Sequence, residues 1–274
     1  MKIGKVAVGK VALAVALVLA GQGTQAAPHR SPEEPAVARA IDLRKAFGAR
    51  SPWTFTASQG PDIADPVLDD PEAKVPGALR LCISRDHGKT CAPALDGVLT
   101  VQGRPDLFSQ AHYLSDSRVV FPAANAPILF LQTGSLQSMN GDQRIATVAL
   151  GYDRAKDVFF VAYEKRVGHN NNQEVRYVAA GPLRGAIISA EPTQDAPFGF
   201  WITVNRIDAA KHYAEVLRYR SATRYGDGNP LAVIDSEMPN LQRRLGLWRP
   251  GSPMPLPAAP CPKPHLVNAE LWCR

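Results

Sequence analysis

The sequence lacks the short motifs that mark common hydrolases and metal sites. It contains no G-x-S-x-G segment, no H-E-x-x-H segment and no S-x-x-K segment with its partner motifs. Its six histidines are scattered without the spacing of metal ligands, and no two cysteines have Cys-x-x-Cys spacing. These absences argue against the familiar nucleophile, zinc and thiol-redox sites. The sequence therefore predicts neither a metal nor a cofactor.

After residue 26 the sequence also lacks any apolar run of the about 20 residues that a membrane-spanning helix needs. The first 26 residues differ in character. Lysines at positions 2, 5 and 10 precede the apolar stretch 11–20, and Thr24 and Ala26 place small residues at the −3 and −1 positions of a cut after Ala26. This three-part pattern is typical of a Sec-type signal peptide. We therefore expect a periplasmic or secreted chain of about 248 residues with no membrane span.

Positive charge is only in modest excess once the predicted signal peptide is removed. The chain has a formal net charge of +6, and three of these charges are the signal lysines, which leaves +3. A nucleic-acid partner is therefore not predicted. The remaining basic residues concentrate in segment 216–274, where a basic face can meet an anionic partner or can simply be solvated.

All four cysteines lie after residue 26, which predicts disulfides in an exported chain. Three pairings are possible. Sequence proximity favours the two local ones, Cys82 with Cys91 and Cys261 with Cys273. In "LCISRDHGKTC", residues 81–91, a tight turn would bring the first two cysteines within reach of a disulfide.

The segment between those two cysteines resembles a known hairpin motif. Ser84, Asp86, Gly88 and Thr90 match the Asp-box, the S-x-D-x-G-x-T-W hairpin that is repeated in sialidases and related propellers. The resemblance implies that the carboxylate and hydroxyls hold turn amides while the glycine adopts a positive φ. Here the closing Trp is replaced by Cys91, and the motif occurs once. It implies a stapled turn and gives no support for sialidase chemistry.

The middle of the chain has a β-rich pattern. From residue 79 to residue 234, short apolar segments alternate with turn-forming residues at spacings of roughly 10–15 residues. No long helical pattern lies between them. The sequence therefore predicts a mainly β, single-domain fold, an antiparallel meander or sandwich. The last of the β-rich segments is "LAVID", residues 231–235.

Two helices are predicted beside this β region. In "SPEEPAVARAIDLRKAFG", residues 31–48, a capping box at Ser31 and Glu34 precedes a helical stripe that Gly48 ends. A short helix is predicted near residues 237–246, with Gly246 at its end. The predicted organisation is a signal peptide at 1–26, an N-terminal segment with a helix at 27–52, a β-rich domain at 53–250 and a proline-rich, disulfide-pinned tail at 251–274.

Asp235 and Glu237 are the candidate catalytic residues. In an extended strand two residues apart they would share one face, about 6.5–7 Å apart, as a paired-carboxylate glycosidase requires. The other interpretation is structural. Glu237 would then complement the dipole at the start of the predicted helix, with Asp235 or Ser236 as its N-cap.

Three arginines form the candidate binding site. Arg218 and Arg220 lie two apart in the apparent strand "YAEVLRYRS", so their side chains should emerge on one side, with Tyr219 on the other. Arg224 follows in the next loop. Guanidinium groups bind carboxylate and phosphate oxygens in pairs, so this rim is predicted to contact an acidic partner. The alternative is internal pairing with nearby acids, Glu215, Asp235 or Glu237.

The sequence favours a non-enzymatic, exported binding protein whose partner is another protein or an anionic envelope glycan. The alternative is a secreted glycan hydrolase that uses Asp235 and Glu237. A deep cleft that holds both carboxylates would favour the hydrolase. The segments "YRSATRYGDGNPLAVIDSEMP", "LGLW" and "LWCR" also resemble a set of secreted proteobacterial proteins, and that likeness implies no activity.

Overall fold

Antiparallel strands dominate the computed structural model of this protein, which describes residues 36–273 except 69, 71, 169–172, 222 and 224–227. The structure is 46% strand and 8% helix, which confirms the mainly β, antiparallel fold. Within the described part of the chain, no helix has both the length and the hydropathy needed to cross a membrane.

The N-terminal elements form a three-stranded first sheet with the order β1-β2-β5 and a separate two-stranded hairpin of β3 and β4. The elements are β1 (Ala36–Asp42), α1 (Leu43–Phe47), β2 (Thr54–Gln59), β3 (Ile63–Ala64), β4 (Lys74–Val75) and β5 (Leu79–Ser84).

Two four-stranded meanders follow, in which each strand pairs with the next one along the chain. The second sheet contains β6 (Tyr113–Ala123), β7 (Ala126–Gln137), β8 (Gln143–Asp153) and β9 (Val158–Gly168). The third sheet contains β10 (Glu174–Tyr177), β11 (Ile187–Pro192), β12 (Phe200–Ile207) and β13 (Tyr213–Arg220). The chain then forms α2 (Val233–Arg244) and a hairpin of β14 (Pro264–Val267) and β15 (Glu270–Cys273).

The second sheet lies between the first and the third. Both of its faces are apolar, so each face is buried against one of the other two sheets. Side chains alternate across a strand, so in β7 Leu129 and Leu131 pack with the first sheet, while Ile128 and Phe130 pack with the third. This double burial explains the continuous apolar sequence of β7. Phe130 is 1% exposed, and burying such a side chain contributes about 2–3 kcal/mol to stability.

The outer face of the third sheet is covered by α2. Ile188 and Ile202 from the sheet pack with Val233, Ile234 and Leu241 of the helix. The result is a stack of three sheets with the helix on its outer side, which places α2 beside the C-terminal tail.

The predicted helix over residues 31–48 is wrong for most of its described length. Residues 36–42 form β1, which pairs antiparallel with β2, and only the five residues of α1 are helical. Val37 is 64% exposed, so the apolar spacing that indicated a helix does not mark a buried face. Strand pairing outweighed local helix propensity here. Gly48 ends α1 in the left-handed conformation, as predicted.

The C-terminal helix begins earlier than predicted, and its cap differs. Segment 231–235 was expected to be a strand, but α2 begins at Val233 after Ala232, which makes no side-chain cap hydrogen bond. The amide of Ile234 instead donates to Glu174 Oε1 at 2.9 Å. The proposed caps Asp235 and Ser236 therefore lie inside the helix. Because the capping carboxylate comes from a distant strand, local sequence could not indicate it.

The turn after β5 has the hydrogen bonds expected of an Asp-box. The amide of Gly88 donates to Ser84 Oγ at 2.7 Å, and the amide of Thr90 donates to Asp86 Oδ1 at 3.0 Å. Gly88 has a φ of 84°. No regular strand follows the turn among the described residues 91–94, so the second half of the predicted hairpin is absent there.

The two local disulfides are confirmed. Cys82 pairs with Cys91, and Cys261 pairs with Cys273, with Cα–Cα distances of 5.0 and 4.9 Å. Both distances lie within the usual range for disulfides. The first closes the Asp-box turn. The second closes the chain between the tail and β15.

A buried carboxylate joins the segment between α1 and β2 to the end of the hairpin formed by β8 and β9. Asp157 Oδ1 accepts hydrogen bonds from Tyr152 Oη at 2.5 Å and Trp53 Nε1 at 3.2 Å, and Oδ2 accepts one from Ser51 Oγ at 2.5 Å. The hydrogen bond from Ser51 is the main cause that holds the pKa of Asp157 far below its usual range.

Candidate functional site

Asp235 and Glu237 do not share a face in the structure. Both lie in α2, where residues two apart point about 200° apart around the axis. The extended-strand geometry predicted for the pair is therefore wrong. The two carboxylates lie in different surroundings, since Glu237 is 0% exposed whereas the side chain of Asp235 is 21% exposed.

Glu237 is fully buried and hydrogen-bonded on all sides. Its carboxylate accepts hydrogen bonds from Tyr219 Oη at 2.8 Å, Thr223 Oγ1 at 2.8 Å and Asn240 Nδ2 at 2.9 Å. Its relative exposure is 0%. Burial, with the nearby Glu237 charge, raises the pKa of Tyr219, so this phenol stays protonated as a donor. In this structure Glu237 ties β13 to α2 and has no surface that a substrate could reach.

Asp235 belongs to a surface network of three charged groups. Arg176 donates from Nη1 to Asp235 Oδ1 at 2.5 Å and from Nη2 to Glu174 Oε2 at 2.9 Å. Asp235 and Glu174 raise the pKa of Arg176 against the opposing effect of its burial. The network links β10 to the first turn of α2. Asp235 keeps 21% of its side chain exposed.

Of the three arginines of the predicted rim, Arg218 and Arg220 lie two residues apart on β13 and have different partners. Arg218 is exposed on β13, with its guanidinium 4.9 Å from the ring centroid of Trp201. Arg220 is committed to the loop between β11 and β12, where it pairs with Asp195 at 3.1 Å. Arg224 lies outside the described residues. Tyr219 points to the opposite face, as predicted. Contact of this surface with an acidic protein or an anionic glycan stays a prediction.

A groove of about 730 Å³ lies between the third sheet, α2 and the C-terminal tail. We call it the proline-walled groove. Its lining is mostly apolar and comes from three segments: Arg176, Tyr177, Val178, Ala179, Ala180, Gly181, Pro182 and Leu183 from β10 and the following loop; Asp235, Met238 and Gln242 from α2; and Leu247, Trp248, Ser252, Pro253, Pro255, Leu256, Pro257 and Ala258 from the tail.

The tail wall is held at both ends. At its start, the indole Nε1 of Trp248 donates to the carbonyl of Pro253 at 2.9 Å, which closes a tight loop after α2. At its end, the disulfide between Cys261 and Cys273 fixes the tail to β15, which packs against α2. Proline restricts the backbone between these anchors because its ring locks φ. The wall is therefore shaped before any ligand arrives.

A second cavity of about 330 Å³ lies at one end of the second sheet. Arg144 lines it, but its guanidinium donates to both carboxylate oxygens of Asp106, at 3.1 and 2.9 Å, and to the carbonyl of Leu99 at 2.8 Å. The hydrogen bonds from Arg144, together with one from Ser109, lower the pKa of Asp106 to about 2. The arginine thus anchors the loop at residues 99–108.

Apart from Asp235, which was a candidate in a different role, sequence reasoning missed the groove residues, although signals for them were present. The proline-rich tail, Trp248 and the closing disulfide were all visible in the sequence. The apolar positions Met238 and Leu247 were not distinguished from ordinary core residues. The sequence did not predict that the tail lies beside the loop after β10, because these segments are far apart in the chain.

The described residues contain no group of three or more His, Cys, Asp or Glu that could hold a metal ion. The charged side chains in the described lining of the proline-walled groove are Arg176 and Asp235. No family model, no curated protein and no solved structure matches this chain, so its function is inferred from the geometry described above.

Proposed function

We propose that this chain is an exported, disulfide-stabilised binding protein that holds a small apolar ligand in the proline-walled groove. The observation that carries the proposal is the groove itself: a volume of about 730 Å³ with mostly apolar walls from three separate segments. Small-molecule sites usually have volumes of about 300–1,000 Å³ and apolar linings with a few polar groups.

The exposure of the wall residues supports this proposal. Leu256 is 51% exposed and Leu247 is 39% exposed, although both are large and apolar. A ligand that covered them would remove this apolar surface from water, which is favourable by about 25 cal/mol per Å². The anchored tail would lower the entropic cost of ordering the site on binding.

The disulfides and the N-terminal sequence support export as the setting for this function. Disulfides persist in oxidising compartments such as the periplasm and the extracellular space. The hydrolase alternative finds no comparable support, because Asp235 lines the groove whereas Glu237 has no exposed surface. A paired-carboxylate mechanism needs both groups at the substrate.

The proposal is tested by titration with N-phenyl-1-naphthylamine, a neutral dye that fluoresces in apolar surroundings. The chain offers a matched pair of variants, since Leu247 in the groove and Leu266 on β14 outside it are both 39% exposed. We expect saturable binding by the unmodified protein, and at least about tenfold weaker binding by Leu247→Asp, because an apolar ligand would desolvate the new charge. Leu266→Asp should bind as the unmodified protein does. Absence of saturable binding, or equal loss in both variants, would overturn the proposal.

A further inference from the structure

We propose that the proline-walled groove selects a small amphiphilic cation, an organic amine or quaternary ammonium with an apolar body, and that Asp235 and Trp248 recognise its charged group. This inference rests on the proposed function and names the ligand class for the same site. Arg176 and Asp235 are the only charged side chains among the described lining residues.

The charged network at this end of the groove, Glu174, Arg176 and Asp235, has a formal net charge of one negative unit. Arg176 is shared by Asp235 and Glu174, so one guanidinium faces two carboxylates. The N-terminus of α2 adds roughly half a positive charge, which offsets part of the excess but not all of it. A cation that enters the groove would balance the remaining negative charge of the two carboxylates, whereas an anion would be repelled by it.

Asp235 has the hydrogen-bonding capacity to receive such a cation. Its Oδ1 accepts from Arg176, and no described residue donates a hydrogen bond to its Oδ2. Glu174 differs, because Oε1 accepts from the amide of Ile234 and Oε2 accepts from Arg176. Of the two carboxylates, Asp235 is the one that lines the groove.

Trp248 supplies a second feature suited to a cation. Its indole N–H is occupied by the carbonyl of Pro253, so the ring is held in place as part of the wall. Ammonium groups are attracted to the electron-rich face of a tryptophan ring, and quaternary ammonium ligands are commonly recognised by such aromatic walls. A carboxylate and a tryptophan in one apolar groove favour an organic cation over a neutral or anionic molecule.

The volume indicates the size of the ligand. A groove of about 730 Å³ accommodates a molecule of small-ligand size, with its apolar body against Met238, Leu247 and Leu256 and its charged group toward Asp235. A hydrocarbon chain that ends in an ammonium group has this composition.

The experiment measures displacement of N-phenyl-1-naphthylamine by three compounds with the same octyl chain: octyltrimethylammonium, octanol and nonanoate, the two ions below their micellar concentrations and octanol below its solubility limit. We expect octyltrimethylammonium to displace the dye at a concentration at least about fivefold lower than nonanoate does, with octanol between them. Asp235→Asn should reduce this ratio to near one, with both displacing concentrations measured against the dye affinity of that variant itself. Glu215→Gln, which removes an equal charge from an exposed position on β13, should keep the ratio.

The outcomes separate the two proposals. Failure of the dye to bind the unmodified protein would overturn the proposed function. Dye binding with equal displacement by all three compounds, or with stronger displacement by nonanoate, would overturn the cation inference and leave the groove as an apolar site. The unmodified protein alone decides this point even if Asp235→Asn does not fold.

Discussion

Asp157 shows how one side chain can connect distant parts of this fold. It accepts hydrogen bonds from Ser51, Trp53 and Tyr152, which lie in two different regions of the chain. Its φ is 55°, a conformation that Asn also tolerates well. Asp157→Asn therefore removes the charge with little backbone strain and isolates the contribution of the carboxylate.

We predict that this contribution depends on pH. The folded-state pKa of Asp157 is depressed, so its stabilisation is present above the unfolded value of about 4 and is lost as pH falls toward the folded value. At pH 7 Asp157→Asn should have a clearly lower Tm than the unmodified protein. The difference should narrow between about pH 5 and pH 2. Thermal unfolding followed by circular dichroism across this range is the measurement, and a difference that stays constant with pH would contradict the assignment.

Glu237 shows why a candidate site residue could not be placed from local sequence. The spacing of Asp235 and Glu237 suits two residues on one face of a strand, and it also suits two residues at the start of a helix. In the structure Glu237 lies in α2, beyond its first turn. Its partners Tyr219 and Thr223 precede it by 18 and 14 residues. A buried acid is stable only with such partners, and their approach depends on how α2 packs on the third sheet.

The C-terminal tail forms one wall of the proline-walled groove and is held by a disulfide. The disulfide between Cys261 and Cys273 closes a loop with a sequence separation of 12, and the other disulfide closes one with a separation of 9. By loop-closure entropy each is worth on the order of 2–3 kcal/mol. The two should therefore stabilise the fold similarly, although only the former holds a wall of the groove.

We predict that the two disulfides differ in their effect on binding. The double variant Cys261→Ser with Cys273→Ser should lose most of its affinity for N-phenyl-1-naphthylamine, because the freed tail must be ordered again on binding. The double variant Cys82→Ser with Cys91→Ser is the matched control and should bind the dye normally. Both should unfold at lower denaturant concentration. Equal dye affinity in the two variants would show that the anchored tail does not shape the site.

Strands and disulfides were predicted correctly where the residues nearby in the sequence determine them. The long strands β7, β8 and β9 follow from apolar segments between turn residues, and the disulfides follow from proximity. The N-terminal helix was predicted at residues that form β1, because Val37 and Ile41 have a spacing that suits a helix while the backbone of the segment pairs with β2. Such pairing is a long-range contact that local patterns do not contain.

At the scale of the whole molecule, the fold class could be read from the sequence, but the stacking of the sheets could not. Alternating apolar segments predict antiparallel sheets without stating which faces meet. The continuous apolar run at residues 128–131 indicates burial on both faces, and the structure shows that it lies between two other sheets. The groove arises from this stacking, since α2 and the tail lie on the outer face of the third sheet.

The last prediction concerns where the whole molecule matures. The lysine-bearing start, the apolar stretch 11–20 and the small residues before position 27 predict export with cleavage after Ala26. Both disulfides would then form in an oxidising compartment. Intact-mass analysis of envelope and culture fractions should find a chain that begins at Ala27 and is lighter than its reduced form by the hydrogens that two disulfides remove.

Leu17→Arg, which interrupts the apolar stretch, should leave the uncleaved, reduced chain in the cytoplasm. Recovery of the unmodified protein there with Met1 intact would contradict export, and the groove would then need a cytoplasmic ligand.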